Sequence, residues 1–120
     1  MILDHVQLAG PPGCEDDARR FYGDTLGLAE IDKPEPMRAS GGVWFRLGSQ
    51  ELHIGIENPF TPARKAHPGL RVESSELDAL ATRLSDAEAP VDWDDRYPGV
   101  RRFYTADPFG NRIEIGTPDS

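Results

Sequence analysis

The stretch that decides the fold is Arg112-Ile113-Glu114-Ile115-Gly116, together with its counterpart Glu51-Leu52-His53-Ile54-Gly55, which lies 61 residues earlier. In both stretches two apolar residues flank one side chain that can bind a metal ion or carry a proton. Successive side chains of a β-strand point to opposite faces, so the apolar neighbours must pack on one side of a sheet. His53 and Glu114 must then face the other side. The pattern predicts two equivalent strands, each presenting one polar group away from the core.

The similarity between the two halves extends to their beginnings. An offset of 62 residues maps His5 onto His67 and Leu8 onto Leu70. The offset falls from 62 near the start of each half to 61 near its end, which fits the loss of one loop residue. Matches at nearly the same offset along both halves indicate an internal duplication. The chain is therefore predicted to be one domain, residues 1–120, of an α+β fold with two tandem βαβββ modules, 1–62 and 63–120.

Apolar spacing places the same order of elements in each half. An amphipathic helix is predicted over 15–26, where acidic residues occupy the first turn and Gly27 follows the end. A second helix is predicted from Leu77 to Leu84, and a turn over 107–111, where Gly110 suits a positive φ. The predicted strands are Ile2–Leu8, Leu28–Ile31, Val43–Leu47, Glu51–Glu57, His67–Glu73, Val91–Trp93, Val100–Ala106 and Arg112–Gly116.

Charge and composition exclude several classes of partner. The chain has 13 Lys and Arg against 21 Asp and Glu, a net charge of -8, so a nucleic acid would be repelled. No apolar run approaches the roughly 18 residues of a membrane span. The single cysteine, Cys14, cannot form an intramolecular disulfide, and no leader-like segment precedes Ile2. We expect a cytoplasmic protein that binds neither nucleic acid nor membrane.

The polar face of the predicted sheets collects potential metal ligands. All three histidines of the chain, His5, His53 and His67, have the strand phase of this face, as does Glu114. Imidazole and carboxylate are suitable ligands for a divalent ion such as Zn²⁺, Ni²⁺, Mn²⁺ or Fe²⁺. The alternative is that these are solvated side chains, with Glu114 merely paired to an arginine, Arg71 or Arg112.

Other side chains are candidates for contact with a substrate. Within an acidic chain, Arg64 and Arg102 are local basic positions that could attract a carboxylate or phosphonate, unless they are a solvated loop residue and an ion-paired strand residue. Trp44 and Arg46 are predicted to line the site, depending on strand phase. Tyr104 could exchange a proton with a bound substrate, although the sequence leaves open which face of its strand it occupies.

The chain resembles the vicinal oxygen chelate proteins over nearly its whole length. The resemblance rests on Asp4-His5-Val6-Gln7-Leu8, on His67-Pro68-Gly69-Leu70-Arg71-Val72, and above all on residues 103–115, Phe-Tyr-Thr-Ala-Asp-Pro-Phe-Gly-Asn-Arg-Ile-Glu-Ile. It implies paired βαβββ modules that form an open, cup-shaped mixed sheet with helices on its outer face. It also implies that the ligand positions fall on His5, His53, His67 and Glu114.

The resemblance implies a range of functions. The superfamily includes glyoxalase I, fosfomycin-resistance proteins, extradiol dioxygenases, methylmalonyl-CoA epimerase and bleomycin-resistance proteins, and its members often dimerise. His53 departs from glyoxalase-like enzymes, which commonly have Glu or Gln there. We expect a homodimeric, divalent-metal-dependent enzyme that uses Glu114 and Tyr104 in catalysis and acts on a small molecule that chelates through adjacent oxygens. The alternatives are a dimeric drug- or metabolite-binding protein without chemistry and a metal-free relative.

Overall fold

The computed structural model describes residues 1–119, which divide after Pro62 into two compact units, here called the first and second modules. The elements of the first module are β1 (His5–Gly10), α1 (Glu15–Ala18) continuing as a π-helix (Arg19–Thr25), β2 (Glu30–Ile31), α2 (Glu35–Arg38), β3 (Val43–Leu47) and β4 (Gln50–Ile56). Those of the second are β5 (Gly69–Arg71), α3 (Leu77–Asp86), β6 (Asp92–Asp94), β7 (Val100–Ala106) and β8 (Arg112–Pro118).

Each module contains one four-stranded mixed sheet of the same topology. The strand orders are β1-β4-β3-β2 and β5-β8-β7-β6, with β1 parallel to β4, β5 parallel to β8, and the remaining pairs antiparallel. Gln7 lies opposite His53 in the first sheet, and Gly69 lies opposite Glu114 in the second. Gln7 and Gly69 are 62 residues apart and His53 and Glu114 are 61 apart, which are the offsets of the predicted repeat. The α+β fold of two βαβββ modules is confirmed.

The apolar phase of each central strand packs against a helix, as predicted. In the first module the fully buried Leu52 and Ile54 of β4 share one sheet face with Phe45, whose ring centroid lies 5.6 Å from that of Tyr22. In the second module the buried apolar side chains are contributed by α3, β7 and β8: Leu77, Leu80, Ala81, Leu84, Phe103, Ile113 and Ile115. Each core therefore lies on one face of its sheet, and the opposite face carries the polar residues.

Several local features differ from the sequence-based expectation. The strand predicted over His67–Glu73 is shorter and covers only Gly69–Arg71. The first strand begins at His5 and not at Ile2, whose side chain is exposed. The helix predicted over 15–26 widens to a π-helix from Arg19, since apolar spacing over so few turns does not distinguish the two periods. The proline-containing loop includes the short helix α2, with Pro near its first turn, where a missing N–H is harmless. No helix within residues 1–119 has the length and apolarity needed to cross a membrane.

A glycine follows two residues after His53 and again two residues after Glu114. A neighbouring side chain lies over each of these glycines. A Cβ on Gly55 would lie 2.6 Å from Nε2 of Gln7, and a Cβ on Gly116 would lie 2.9 Å from the Cβ of Arg102. The second contact is the more restrictive one, because a Cβ atom is fixed by its backbone. Gly116 thus allows the Arg102 side chain to cross the sheet towards Glu114.

We predict that Gly116→Ala lowers the free energy of unfolding by about 1–3 kcal/mol, because the added methyl group overpacks Arg102 and the carbonyl oxygen of Arg101. Gly69→Ala is the matched control, since no atom lies within 4 Å of its added Cβ. Its unfolding free energy should change by less than about 1 kcal/mol. Urea denaturation measures both, and equal losses in the two variants would contradict this account.

Candidate functional site

A stack of three rings occupies the polar face of the first module. The His53 ring lies between Trp44, at a centroid distance of 3.7 Å with the planes almost parallel, and His5, at 4.4 Å. Trp44 is directly opposite His53 in the β3–β4 pairing, whereas His5 lies on the parallel strand β1 on the other side. His53 is 4% exposed, so the stack removes an imidazole from solvent on the face that carries no helix.

Carboxylates fix the orientation of both imidazoles in this stack. His53 donates from Nε2 to Oε1 of Glu51 at 2.8 Å, and His5 donates from Nδ1 to Oδ2 of Asp4 at 2.9 Å. Glu51 also lies 3.8 Å from the guanidinium of the half-exposed Arg46. A carboxylate that accepts one ring proton leaves the lone pair of the neutral ring on the other nitrogen, which is the usual arrangement around a metal-binding histidine.

The second module holds a His–Glu pair at the equivalent place. Nε2 of His67 lies 3.1 Å from Oε1 of Glu114, while Nδ1 of His67 donates to the carbonyl oxygen of Lys65 at 2.9 Å. The backbone N–H of Glu114 donates to the carbonyl of Pro68 and so extends the parallel pairing of β5 and β8 towards His67. A carbonyl only accepts, so the ring carries a proton on Nδ1.

Glu114 has a second cationic partner on the adjacent strand. Its Oε2 accepts a hydrogen bond from Arg102 at 3.1 Å, and Arg102 also contacts Asp94 on β6 at 3.4 Å. Burial acts to raise the pKa of Glu114, but the hydrogen bonds from His67 and Arg102 outweigh it and hold the pKa below the ordinary carboxyl value. Arg96 holds the pKa of Asp94 well below its usual range. The carboxylate of Glu114 is therefore ionised at neutral pH.

The strand phase left open by the sequence is resolved for β7. Phe103 is fully buried in the core, so Tyr104 shares a face with Glu114 and lies directly opposite it. The Tyr104 ring meets His67 edge-on at 5.4 Å and is covered by the guanidinium of Arg112, 3.9 Å from its centroid. A phenol group thus lies beside the His–Glu pair.

The structure groups the candidate ligands as two pairs, one in each module: His5 with His53, and His67 with Glu114. Neither module, over residues 1–119, contains a group of three or more His, Cys, Asp or Glu side chains arranged to hold a metal ion. Of the candidate substrate contacts, Trp44 and Arg46 accompany the first pair and Arg102 the second. Arg64 is exposed in the segment before His67.

Sequence reasoning missed three acidic partners: Asp4, Glu51 and Asp94. Glu51 has the same strand phase as His53 two residues away, and this spacing was a usable signal. Asp94 could be recognised as a partner only from the pairing of β6 with β7, in which it lies opposite Arg102. The alternative interpretation of Glu114, as the partner of Arg71 or Arg112, names the wrong residues: its hydrogen-bond partners are His67 and Arg102.

The chain is thus a small α+β protein of two βαβββ modules. Each module carries histidine or glutamate on the sheet face opposite its helix. The chain belongs to the Glyoxalase/Bleomycin resistance protein/Dioxygenase superfamily, whose family model matches residues 3–115. The resemblance to the vicinal oxygen chelate proteins is thereby confirmed.

Solved structures give the nearer and more distant similarities. A glyoxalase family protein from Bacillus anthracis is 47% identical, with a TM-score of 0.93, covering 99% of this chain and 96% of that one. A lactoylglutathione lyase from Agrobacterium tumefaciens is 26% identical, with a TM-score of 0.73 and coverages of 97% and 92%. A fosfomycin resistance protein from Listeria monocytogenes shares the fold at 18% identity, with a TM-score of 0.78 and coverages of 98% and 94%. No curated protein matches the chain significantly.

We predict that Arg102→Gln destabilises the protein in EDTA by about 1–3 kcal/mol at pH 7, because Glu114 and Asp94 lose the cation between them. Folding lowers the pKa of Glu114, so its ionised carboxylate stabilises the fold fully at pH values above the unfolded carboxyl pKa of about 4.3. This stabilisation is lost as the pH falls through the lower pKa of the folded state. The difference from wild type should therefore shrink on acidification.

The matched control is Arg101→Gln, which removes the neighbouring arginine from the opposite face of β7, where it pairs with the exposed Asp78. An exposed pair contributes little, so its unfolding free energy should change by less than about 1 kcal/mol at any pH. Denaturant unfolding between pH 3 and 7 measures both variants. An Arg102→Gln loss that is independent of pH would contradict the assigned role of Arg102.

Proposed function

We propose that this protein is a small divalent-metal-dependent enzyme that acts on a small molecule chelating through adjacent oxygens. The observation that supports this most directly is the His67–Glu114 pair. Nδ1 of His67 donates to a carbonyl and Oε2 of Glu114 accepts from Arg102, so Nε2 of His67 and Oε1 of Glu114 face each other at 3.1 Å. A hydrogen bond joins this nitrogen and oxygen, and a divalent ion would bind by taking the place of its proton.

The donor set fits a divalent ion of the transition series. An imidazole nitrogen and a carboxylate oxygen are both ligands that Zn²⁺ accepts in proteins. Glu114 would bind through Oε1, because its Oε2 is engaged by Arg102, an arrangement that orients a carboxylate ligand. Zn²⁺, Ni²⁺, Mn²⁺ and Fe²⁺ all suit this chemistry.

We also propose that His5 and His53, on the polar face of the first module, bind a divalent ion. Each donates one ring N–H to a carboxylate, Asp4 or Glu51, which supports a ligating role for the other ring nitrogen. The 26% identity to a lactoylglutathione lyase and the family membership support an enzyme, without defining its substrate.

Bound at these residues, the ion would supply Lewis-acid stabilisation of negative charge on a substrate oxygen. Tyr104, opposite Glu114 on β7, is the proposed group that holds or moves a proton at its phenolic oxygen. Glu114 is the second proposed catalytic residue, and Arg102 keeps it ionised. Trp44, Arg46 and Arg64 are the proposed substrate contacts on the first module and the segment before His67.

We expect near-stoichiometric metal in protein purified without added metal or a metal-binding tag, because the pre-oriented His–Glu pair favours binding. His67→Ala and Glu114→Ala should each weaken binding at least about tenfold, since loss even of an orienting partner costs 10–100-fold. Elemental analysis and Mn²⁺ titration measure the effect. Glu73→Ala, an exposed change in the same module, is the control and should retain wild-type metal.

Two results would contradict the proposal. The first is a wild type that is empty and takes up no divalent ion on titration. The second is full metal content in Glu114→Ala. Stoichiometric binding of a small-molecule ligand in EDTA, together with the first result, would favour the non-catalytic drug- or metabolite-binding function instead.

We also propose that the protein acts as a homodimer, the assembly that its family resemblance implies. Light scattering on the purified chain should give a molar mass twice that of the 13.3 kDa chain. A mass equal to one chain at micromolar concentration would contradict the homodimer while leaving the metal proposal intact.

A further inference from the structure

An open cleft lies beside Glu114 on the polar face of the second module. Its volume is about 180 Å³, and Glu114 lies in its wall. The floor is made by Gly69, directly opposite Glu114 on β5, and by Gly116, two residues beyond it on β8. No atom of residues 1–119 lies within 4 Å of the place where a Cβ on Gly69 would be, so the space above Gly69 is vacant, whereas Arg102 lies over Gly116.

The walls of this cleft combine apolar and cationic surface. Tyr97, Val100 and Pro118 contribute carbon surface, and Tyr97 is held with its ring 5.3 Å from the guanidinium of Arg102. Arg71 lines the cleft at the end away from β7, opposite Gly116 in the β5–β8 register. Arg71 and Glu114 therefore lie on the same face of the sheet, two residues or about 7 Å apart along the strand direction.

Arg71 differs from the other arginines on this face. Arg96 pairs with Asp94, Arg102 is shared by Asp94 and Glu114, and Arg112 lies over the Tyr104 ring. Arg71 forms no ion pair with any residue of the described chain, 1–119, although the chain carries a net charge of -8. In an acidic protein, a guanidinium at the end of a cleft and without a carboxylate partner is available to an anionic ligand.

We propose that Arg71 binds a carboxylate of the substrate, so that the substrate is a small organic acid with an anionic group several bonds from its chelating oxygens. This inference rests on the proposed function, because it places the chelating oxygens at Glu114. A planar guanidinium binds a carboxylate through two parallel hydrogen bonds, and the vacant space above Gly69 leaves room for the connecting carbon chain. Tyr97, Val100 and Pro118 contact that chain.

Matched 2-oxo acids test the assignment on Mn²⁺-loaded protein. 2-Oxoglutarate and 2-oxoadipate carry a distal carboxylate, whereas 2-oxopentanoate and 2-oxohexanoate have the same chelating group and chain length with a methyl end. Titration calorimetry should give at least tenfold tighter binding for one or both diacids than for the matching monoacid. Arg71→Gln should reduce this preference to about twofold or less, while Arg101→Gln, on the other face of β7, should preserve it.

A steric variant provides an independent check. Gly69→Val should fold normally, because its side chain enters vacant space, and should weaken binding of the preferred diacid at least tenfold without changing Mn²⁺ affinity. Unchanged diacid binding in Gly69→Val would show that the cleft is not the site.

The outcomes separate the two proposals. Failure of wild type to bind Mn²⁺ would overturn the proposed function. Normal Mn²⁺ binding with equal affinity for diacids and monoacids in both pairs, or with a diacid preference that survives Arg71→Gln, would overturn the Arg71 assignment alone.

Discussion

The alternation of side chains along β4 and β8 is the constraint on which the rest of the structure depends. Leu52 and Ile54 in one strand, and Ile113 and Ile115 in the other, are buried against helices, so a one-residue slip of either strand would expose the core. The same register leaves His53 and Glu114 on the opposite face. The register of the central strand in each module thus fixes both core packing and site geometry.

The two modules use this common scaffold differently. In the first, His53 is held by ring stacking between Trp44 and His5, and carboxylates accept the ring protons. In the second, the equivalent glutamate is held by charge, with an imidazole on one oxygen and a guanidinium on the other. The second arrangement depresses the pKa of Glu114 and keeps its carboxylate ionised on a face that is otherwise rich in arginine, although the chain as a whole is acidic.

Much of this could be predicted from the sequence, because burial periodicity and a constant repeat offset are local signals. The bounds of β3 and β7, the start of α3 and the turn at Gly110, which has a φ of 90°, were all predictable from apolar spacing and glycine placement. The face of Tyr104 was not predictable, since Phe103 is equally able to fill a core and only the pairing of β7 with β8 decides between them. The Arg102 bridge likewise required knowledge of which acidic residue lies opposite on β6. The cleft at Gly69 was not predictable either, because it exists where glycine has no side chain. Glycine adds nothing to the apolar periodicity from which the strands were predicted.

The central claim is that His67 and Glu114 are ligands of the same divalent ion. Anomalous X-ray diffraction from crystals grown with Mn²⁺, recorded on either side of the manganese edge, locates the ion directly. The account predicts a strong anomalous peak about 2.0–2.3 Å from both Nε2 of His67 and Oε1 of Glu114. The absence of a peak there, with the His67–Glu114 contact unchanged at saturating Mn²⁺, would contradict it.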